Sequence, residues 1–275
     1  MGSMVDTENS PKPTSLAMDL LGDFDRTGGR EIRLKALVAL GEELDISGPV
    51  MRVTLARLRE RGWFDVRREG RESIYRFTPT ALQSLDEGRR KIFRDAPAPW
   101  NGEWSMVIYT VPENDRQTRD DLRKKLAWLG FGSLAAATWV CPHPRLDEVA
   151  NAAALLPTAR LTLLTTRTTG LPADRAMAAQ CWQLDEIAAD YAEFVRRLRT
   201  GHGDFRARTL DAGAALAERV RLVNAYRHVV QRDPQLPTEL QPPGWTGDEA
   251  HRLFMQAHEA LATTSTDLYE KASAQ

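Results

Sequence analysis

With 42% hydrophobic and 27% charged side chains over 275 residues, the chain can bury two or three cores, and neither a disordered nor a fibrous protein is expected. A formal net charge of -1 and a pI near 6.5 exclude a polycation that coats nucleic acid by bulk charge, so any such contact must come from one local patch. Two cysteines, Cys141 and Cys181, cannot make a disulfide framework, and no apolar run approaches the ~20 residues of a membrane span; a cytoplasmic protein without membrane contact is expected.

In chain order, residues 1–15 are polar, carry Pro11 and Pro13, lack the apolar core of a signal peptide, and read as a flexible tail. A short helix is predicted over Leu16 to Phe24. After the break at Gly28-Gly29 a second helix is predicted over Glu31 to Leu40, where Ile32, Ala36, Leu37 and Leu40 recur at helical spacing. Gly41 to Ile46 turns into a third helix, with Ser47 as N-cap candidate, Pro49 in the first turn and Gly62 at its close. Met51, Leu55 and Leu58 make its apolar stripe. Val53, Ala56 and Glu60 project away from that stripe, with Arg52 and Arg59 on one flank and Arg57 on the other.

Such a helix suits the DNA major groove, because small side chains let its backbone approach while arginines reach phosphates or guanine edges. An ordinary surface helix has the same composition when taken alone. The next segment separates the two readings: two runs, Trp63 to Arg68 and Arg71 to Phe77, joined at Glu69-Gly70, form a hairpin whose tip carries Arg67, Arg68 and Arg71. From Arg52 to Arg76 eight arginines face four acidic residues, so the positive charge is local. A winged helix-turn-helix over 16–95 is therefore expected. It includes a helix from Thr78 that ends in Arg89-Arg90-Lys91, a run read as a solvated helix end or a backbone contact.

Ala96-Pro97-Ala98-Pro99 reads as a stiff linker. Beyond it the pattern gives a strand over Trp104 to Val111, a helix over Asp115 to Leu129, one or two strands in Gly132 to Cys141, a helix over Leu146 to Leu156 and a strand over Arg160 to Thr166. This βαββαβ order predicts a ferredoxin-like domain over 100–175. Helices over Asp185 to Arg199, Leu210 to Gln231 and Thr246 to Ala272, with a proline-rich connector from Asp233 to Trp245, make 176–275 a C-terminal helical domain. The fold class is α+β.

The ordered set Pro99-Trp100-Asn101-Gly102-Glu103-Trp104, Trp128-Leu129-Gly130-Phe131-Gly132, Trp139-Val140-Cys141-Pro142, Asp233-Pro234-Gln235-Leu236-Pro237 and Gly244-Trp245-Thr246-Gly247 resembles the PaaX-type phenylacetate-catabolism repressors over nearly the whole chain from Leu20. The resemblance implies a dimeric bacterial repressor that leaves its operator when an aryl-acyl-CoA such as phenylacetyl-CoA binds. It also implies a middle domain similar in fold to the small CRISPR spacer-acquisition nucleases. Those nucleases hold a metal with an aspartate at the end of their first strand, where this chain has Tyr109-Thr110-Val111-Pro112, so the domain is expected to be a scaffold rather than a nuclease.

No enzyme constellation is evident. The five histidines give no ligand pair at i, i+4, Gly201-His202-Gly203 lacks the third glycine of a dinucleotide fingerprint, and there is no nucleophile elbow. No catalytic residue, metal or cofactor is expected. Six tryptophans, Trp139 among them, are candidates for an aromatic pocket, although tryptophan is more often plain core. Arg160, Arg196 and Arg227, with Arg167, Arg197 and Arg221, are candidates for CoA phosphates, or else helix-surface charge. The expected protein is a homodimeric repressor that contacts operator DNA through Arg52, Arg57, Arg59, Arg67, Arg68 and Arg71, with its dimer surface and effector site in the helical region. The alternative is a CoA-ester-binding protein or enzyme whose winged module mediates protein contacts.

Overall fold

The computed structural model describes residues 11–94, 99–201 and 210–274. Most of the predicted tail, residues 96–98 of the predicted linker, and His202-Gly203 lie outside the described residues. The chain is an α+β protein with two antiparallel sheets.

It divides into two compact units of discontinuous sequence, one made of residues 1–94, 194–228 and 249–275, the other of 95–193 and 229–248. This differs from the three consecutive segments 16–95, 100–175 and 176–275 expected from the sequence. The C-terminal residues supply parts of separate cores: Leu216, Val220 and Tyr269 belong to the core of the first unit, and Leu184, Leu236 and Leu240 to that of the second.

The first unit begins with α1 (Pro13–Arg26), β1 (Glu31–Arg33), α2 (Leu34–Glu42), α3 (Gly48–Glu60), β2 (Phe64–Glu69), β3 (Glu72–Phe77) and α4 (Pro79–Ile92). Two expectations are corrected. Residues 13–15 are the first turn of α1, with Pro13 where a missing N–H costs nothing, rather than tail. Residues 31–33 are a strand rather than the start of a helix: Ile32 is buried opposite Tyr75, and Glu31 pairs with Arg76 at 3.0 Å across the ladder. Three residues are too few for an alternation to show in sequence.

The sheet runs β1-β3-β2. Gly70, with φ of 61°, and Arg71 make the hairpin turn, one residue later than predicted. The core brings together Leu20, Leu21 and Phe24 of α1, Leu37 of α2, Met51, Leu55 and Leu58 of α3, and Phe64 and Phe77 of the hairpin. Each such side chain contributes about 1.5–3 kcal/mol when fully buried. Thr78 caps α4, its hydroxyl accepting from the Ala81 N–H at 3.2 Å. Arg89 and Arg90, in the basic run at the end of α4, both pair with Asp86.

The second unit holds β4 (Trp104–Thr110), α5 (Arg116–Trp128), β5 (Gly132–Ala135), β6 (Thr138–Cys141), α6 (Leu146–Ala153), β7 (Arg160–Thr166) and α7 (Leu171–Cys181). The sheet order is β5-β6-β4-β7 with antiparallel neighbours throughout. Alternation along β4 divides its side chains between two faces. Val107 and Tyr109 pack with Leu122 and Leu126 of α5 and Val149 of α6. Trp104, on the other face, packs with Ala178 of α7 and with Leu236 and Leu240 of the connector. Helix α7 is absent from the sequence prediction. Its Asp174 is buried and accepts from Trp104 Nε1 at 2.8 Å and from the Thr168 hydroxyl at 2.6 Å. The connector contains a 3-10 turn (Thr238–Leu240), and three long helices complete the chain: α8 (Leu184–Gly201), α9 (Ala212–Val230) and α10 (Gly247–Ala274).

Candidate nucleic-acid interface

Helix α3 starts where Gly48 and Pro49 follow Ser47, although the Ser47 side chain makes no capping bond. Its buried side is wider than the predicted stripe, because Thr54 joins Met51, Leu55 and Leu58. That leaves Pro49, Val50, Arg52, Val53, Arg57, Arg59 and Glu60 exposed. The helix ends after Glu60, and Gly62 takes a φ of 76° to reverse the chain into β2.

All six predicted DNA-contacting arginines are solvent-exposed and lie in the first unit, but they are not equivalent. Among the described residues Arg52, Arg57, Arg59, Arg68 and Arg71 make no ion pair or side-chain hydrogen bond. Arg67 is engaged: its guanidinium donates to Glu69 at 2.9 Å and to Glu31 at 3.4 Å, and these bonds hold it still more firmly protonated than a free arginine. Arg33 and Arg76, on the same sheet, are also paired, with Glu72 at 2.9 Å and Glu31 at 3.0 Å. The sheet's acidic residues thus neutralise the body of the hairpin, while its tip at Arg68 and Arg71, and the face of α3, keep their charge. Arg61, just past α3, is a further exposed arginine without a partner among the described residues. No sequence pattern marks it, because it falls after the apolar period of the helix has ended.

The predicted effector residues are not gathered in one unit. Trp139 on β6 and the exposed Arg160 on β7 belong to the second unit, Arg196 and Arg227 to the first. Trp139 is half-buried against the core under α5, and its Nε1 is buried with no partner among the described residues. Arg196 is exposed on α8. Arg227 is held within the protein, its Nε 2.7 Å from Asp19 Oδ1 and its other nitrogen 2.7 Å from the Ser15 hydroxyl. Asp19 lies on the predicted first helix and Ser15 in the predicted tail, so sequence spacing gives no sign of this partnership.

At the end of β4, Tyr109 accepts a hydrogen bond from Arg123 Nε at 3.2 Å. Among the described residues no group of three or more His, Cys, Asp or Glu side chains is placed to hold a metal ion, and no helix is long and apolar enough to cross a membrane. Cys181 is half-buried, which pushes its thiol up to about 11.

Comparison with known proteins matches three family models in succession: "PaaX-like protein" over residues 12–81, "PaaX protein central Cas2-like domain" over 97–178, and "PaaX-like protein C-terminal domain" over 182–271. The transcriptional repressor PaaX of Escherichia coli (strain K12) is 33% identical over 259 residues, covering 90% of this chain and 80% of that protein. Among solved structures, the uncharacterized protein Rv0674 from Mycobacterium tuberculosis superposes with a TM-score of 0.55 at 22% identity, over 88% of this chain and 91% of that one. The latter likeness is one of fold.

Proposed function

The chain belongs to the PaaX family, and on that premise we propose that it is a transcriptional repressor which binds operator DNA through a winged helix-turn-helix built from α1 to α3 and the β2-β3 hairpin. The observation that carries this reading is the distribution of charge. Among the described arginines of the first unit, those without a partner cluster on or just after α3 and at the tip of the hairpin beside it, in a chain of net charge -1, while the other arginines of the same sheet are paired with carboxylates. Cations held free at two adjacent protrusions match a duplex: a helix in the major groove and a wing on the neighbouring phosphates.

In the same reading the ferredoxin-like segment over 100–175 is a scaffold, and the protein is a regulator rather than an enzyme. It acts as a homodimer on a palindromic site, and an aromatic acyl-CoA releases it. Release requires the effector to bind a DNA-incompetent arrangement better than the competent one, since a ligand with equal affinity for both would shift nothing.

Fluorescence anisotropy with promoter DNA at two salt concentrations, with and without aryl-acyl-CoA thioesters and the free acids, tests the proposal. Salt-dependent, sequence-selective binding abolished by one thioester is the expected result. Selective binding that no compound disturbs would retain the repressor and discard the effector, and absence of selective binding would overturn the reading.

A further inference from the structure

Of the seven large hydrophobic side chains exposed among the described residues, two sit one turn apart on α3: Val50 at 40% and Val53 at 51% relative exposure. Folding does not explain them. Both point away from the core formed by Met51, Leu55 and Leu58, and β-branched residues are weaker helix formers than the lysine, glutamate or alanine that a solvent-facing position would otherwise favour. Nor do they form part of a broad apolar patch. Their neighbours on the exposed surface of the helix are Pro49, Arg52, Arg57 and Glu60, and both arginines are without partners among the described residues.

A surface of this kind fits a partner that is strongly anionic and yet presents small apolar protrusions at the spacing of a helical turn. The major groove of duplex DNA has both, since the C5-methyl of thymine projects into it beside the phosphates. The valines lie in the N-terminal half of α3, the part of a recognition helix that approaches base edges, while Arg57, Arg59 and Arg61 follow toward its C-terminal end.

Resting on the DNA-binding function proposed for this surface, we propose that Val50 and Val53 are specificity-determining residues that read thymine methyl groups in the operator. The arginines then supply affinity and guanine contacts, and the valine pair selects thymine at the positions it meets.

The test begins by selecting a tight-binding duplex from a random library with the full-length protein. Each thymine is then replaced by deoxyuracil, which deletes the methyl and leaves every hydrogen-bonding edge in place. Affinity of the unaltered protein should fall about fourfold for each contacted methyl, the value of one buried carbon group. Val50→Ala and Val53→Ala, both at exposed positions, should each bind the thymine duplex more weakly and lose less on replacement by deoxyuracil. A loss that arises only from altered duplex shape would persist undiminished in both variants and overturn the proposal, as would indifference of the unaltered protein to deoxyuracil. Failure to enrich any sequence would instead overturn the DNA-binding reading itself.

Discussion

Arg219 and Asp23 form an ion pair of 2.8 Å in which both side chains are almost wholly withdrawn from water, at 1% and 2% exposure. The pair ties α9 to α1, the first helix of the proposed DNA-binding module. Tyr269 of α10 donates to the second carboxylate oxygen at 2.9 Å, and Ser265 accepts from Arg219 at 3.2 Å. Four residues earlier on α1, Asp19 binds Asn224 and Arg227 of α9 at 2.6 and 2.7 Å. One face of α1 therefore packs in the core with α3, while Asp19 and Asp23, at i, i+4, join it to the C-terminal helices.

Replacing Arg219 by Met should leave the Asp23 carboxylate buried without its cation and lower stability by about 3–5 kcal/mol. Combining it with Asp23→Leu should recover much of that loss, because the uncompensated charge is then gone. Urea unfolding of the two single variants and the double variant measures the coupling. Strict additivity would show that the pair carries no specific interaction.

His258 stands between two guanidinium groups, its Nε2 3.2 Å from Arg219 Nε and its Nδ1 3.5 Å from Arg26. Burial lowers its pKa, and Arg219 and Arg26 add to that effect against the opposing pull of Asp23. A histidine whose folded value lies below its unfolded 6.5 takes up its proton first in the unfolded chain, so the stability it confers is present above 6.5 and is lost as the pH falls below it. Asp23, held below 3.8 because His258, Arg219 and Tyr269 together outweigh its burial, contributes its own loss only below that value. Asp19 and Asp25 are raised, chiefly by burial, and act in the opposite sense. The contribution of His258 to the urea midpoint is therefore a drop between pH 7.5 and 5.5, and His258→Phe should lose less, or gain more, over that interval than the unaltered protein. Equal slopes would exclude that contribution.

The hairpin arginines should separate by their partners. Arg68→Ala and Arg71→Ala are each expected to weaken binding to all duplexes alike and to reduce the salt slope by about 1. Arg67→Ala should do less, because Glu69 and Glu31 already occupy its guanidinium. Arg57→Ala, on α3, should cost roughly 1–3 kcal/mol and relax preference at one base pair if it meets a guanine. Anisotropy titrations at several salt concentrations distinguish the three behaviours, and identical slopes for Arg67 and Arg68 variants would contradict the assignment.

In the second unit, Asp174→Ala should leave Trp104 Nε1 buried without its acceptor, at a cost of about 1–3 kcal/mol. Trp104 is stacked on Trp182 with ring centroids 6.4 Å apart, so tryptophan fluorescence reports the same unfolding transition. A change well below this range would mean that another group takes over the indole N–H.

Elements with long, regular patterning were legible from the chain alone. The stripe of Met51, Leu55 and Leu58 and the β-rich runs on either side of Gly70 place α3 and the hairpin within a residue or two, and the ordered tryptophan and proline motifs identify the family. These signals are local: helical period, alternation and turn chemistry act between residues close in the chain. The strand at Glu31–Arg33 was hidden because a three-residue strand exists only through its partner β3, and α7 because its short apolar pattern, Met177, Ala178 and Cys181, gains its meaning from Trp104. Which charges remain free depends on long-range packing. Arg67 and Arg68 are neighbours of identical type, yet one is taken up by Glu31, 36 residues away, and the other is not. Arg227 likewise reads as a surface cation until α9 brings it to Asp19, because a charge's role depends on what long-range packing sets within a few ångströms of it.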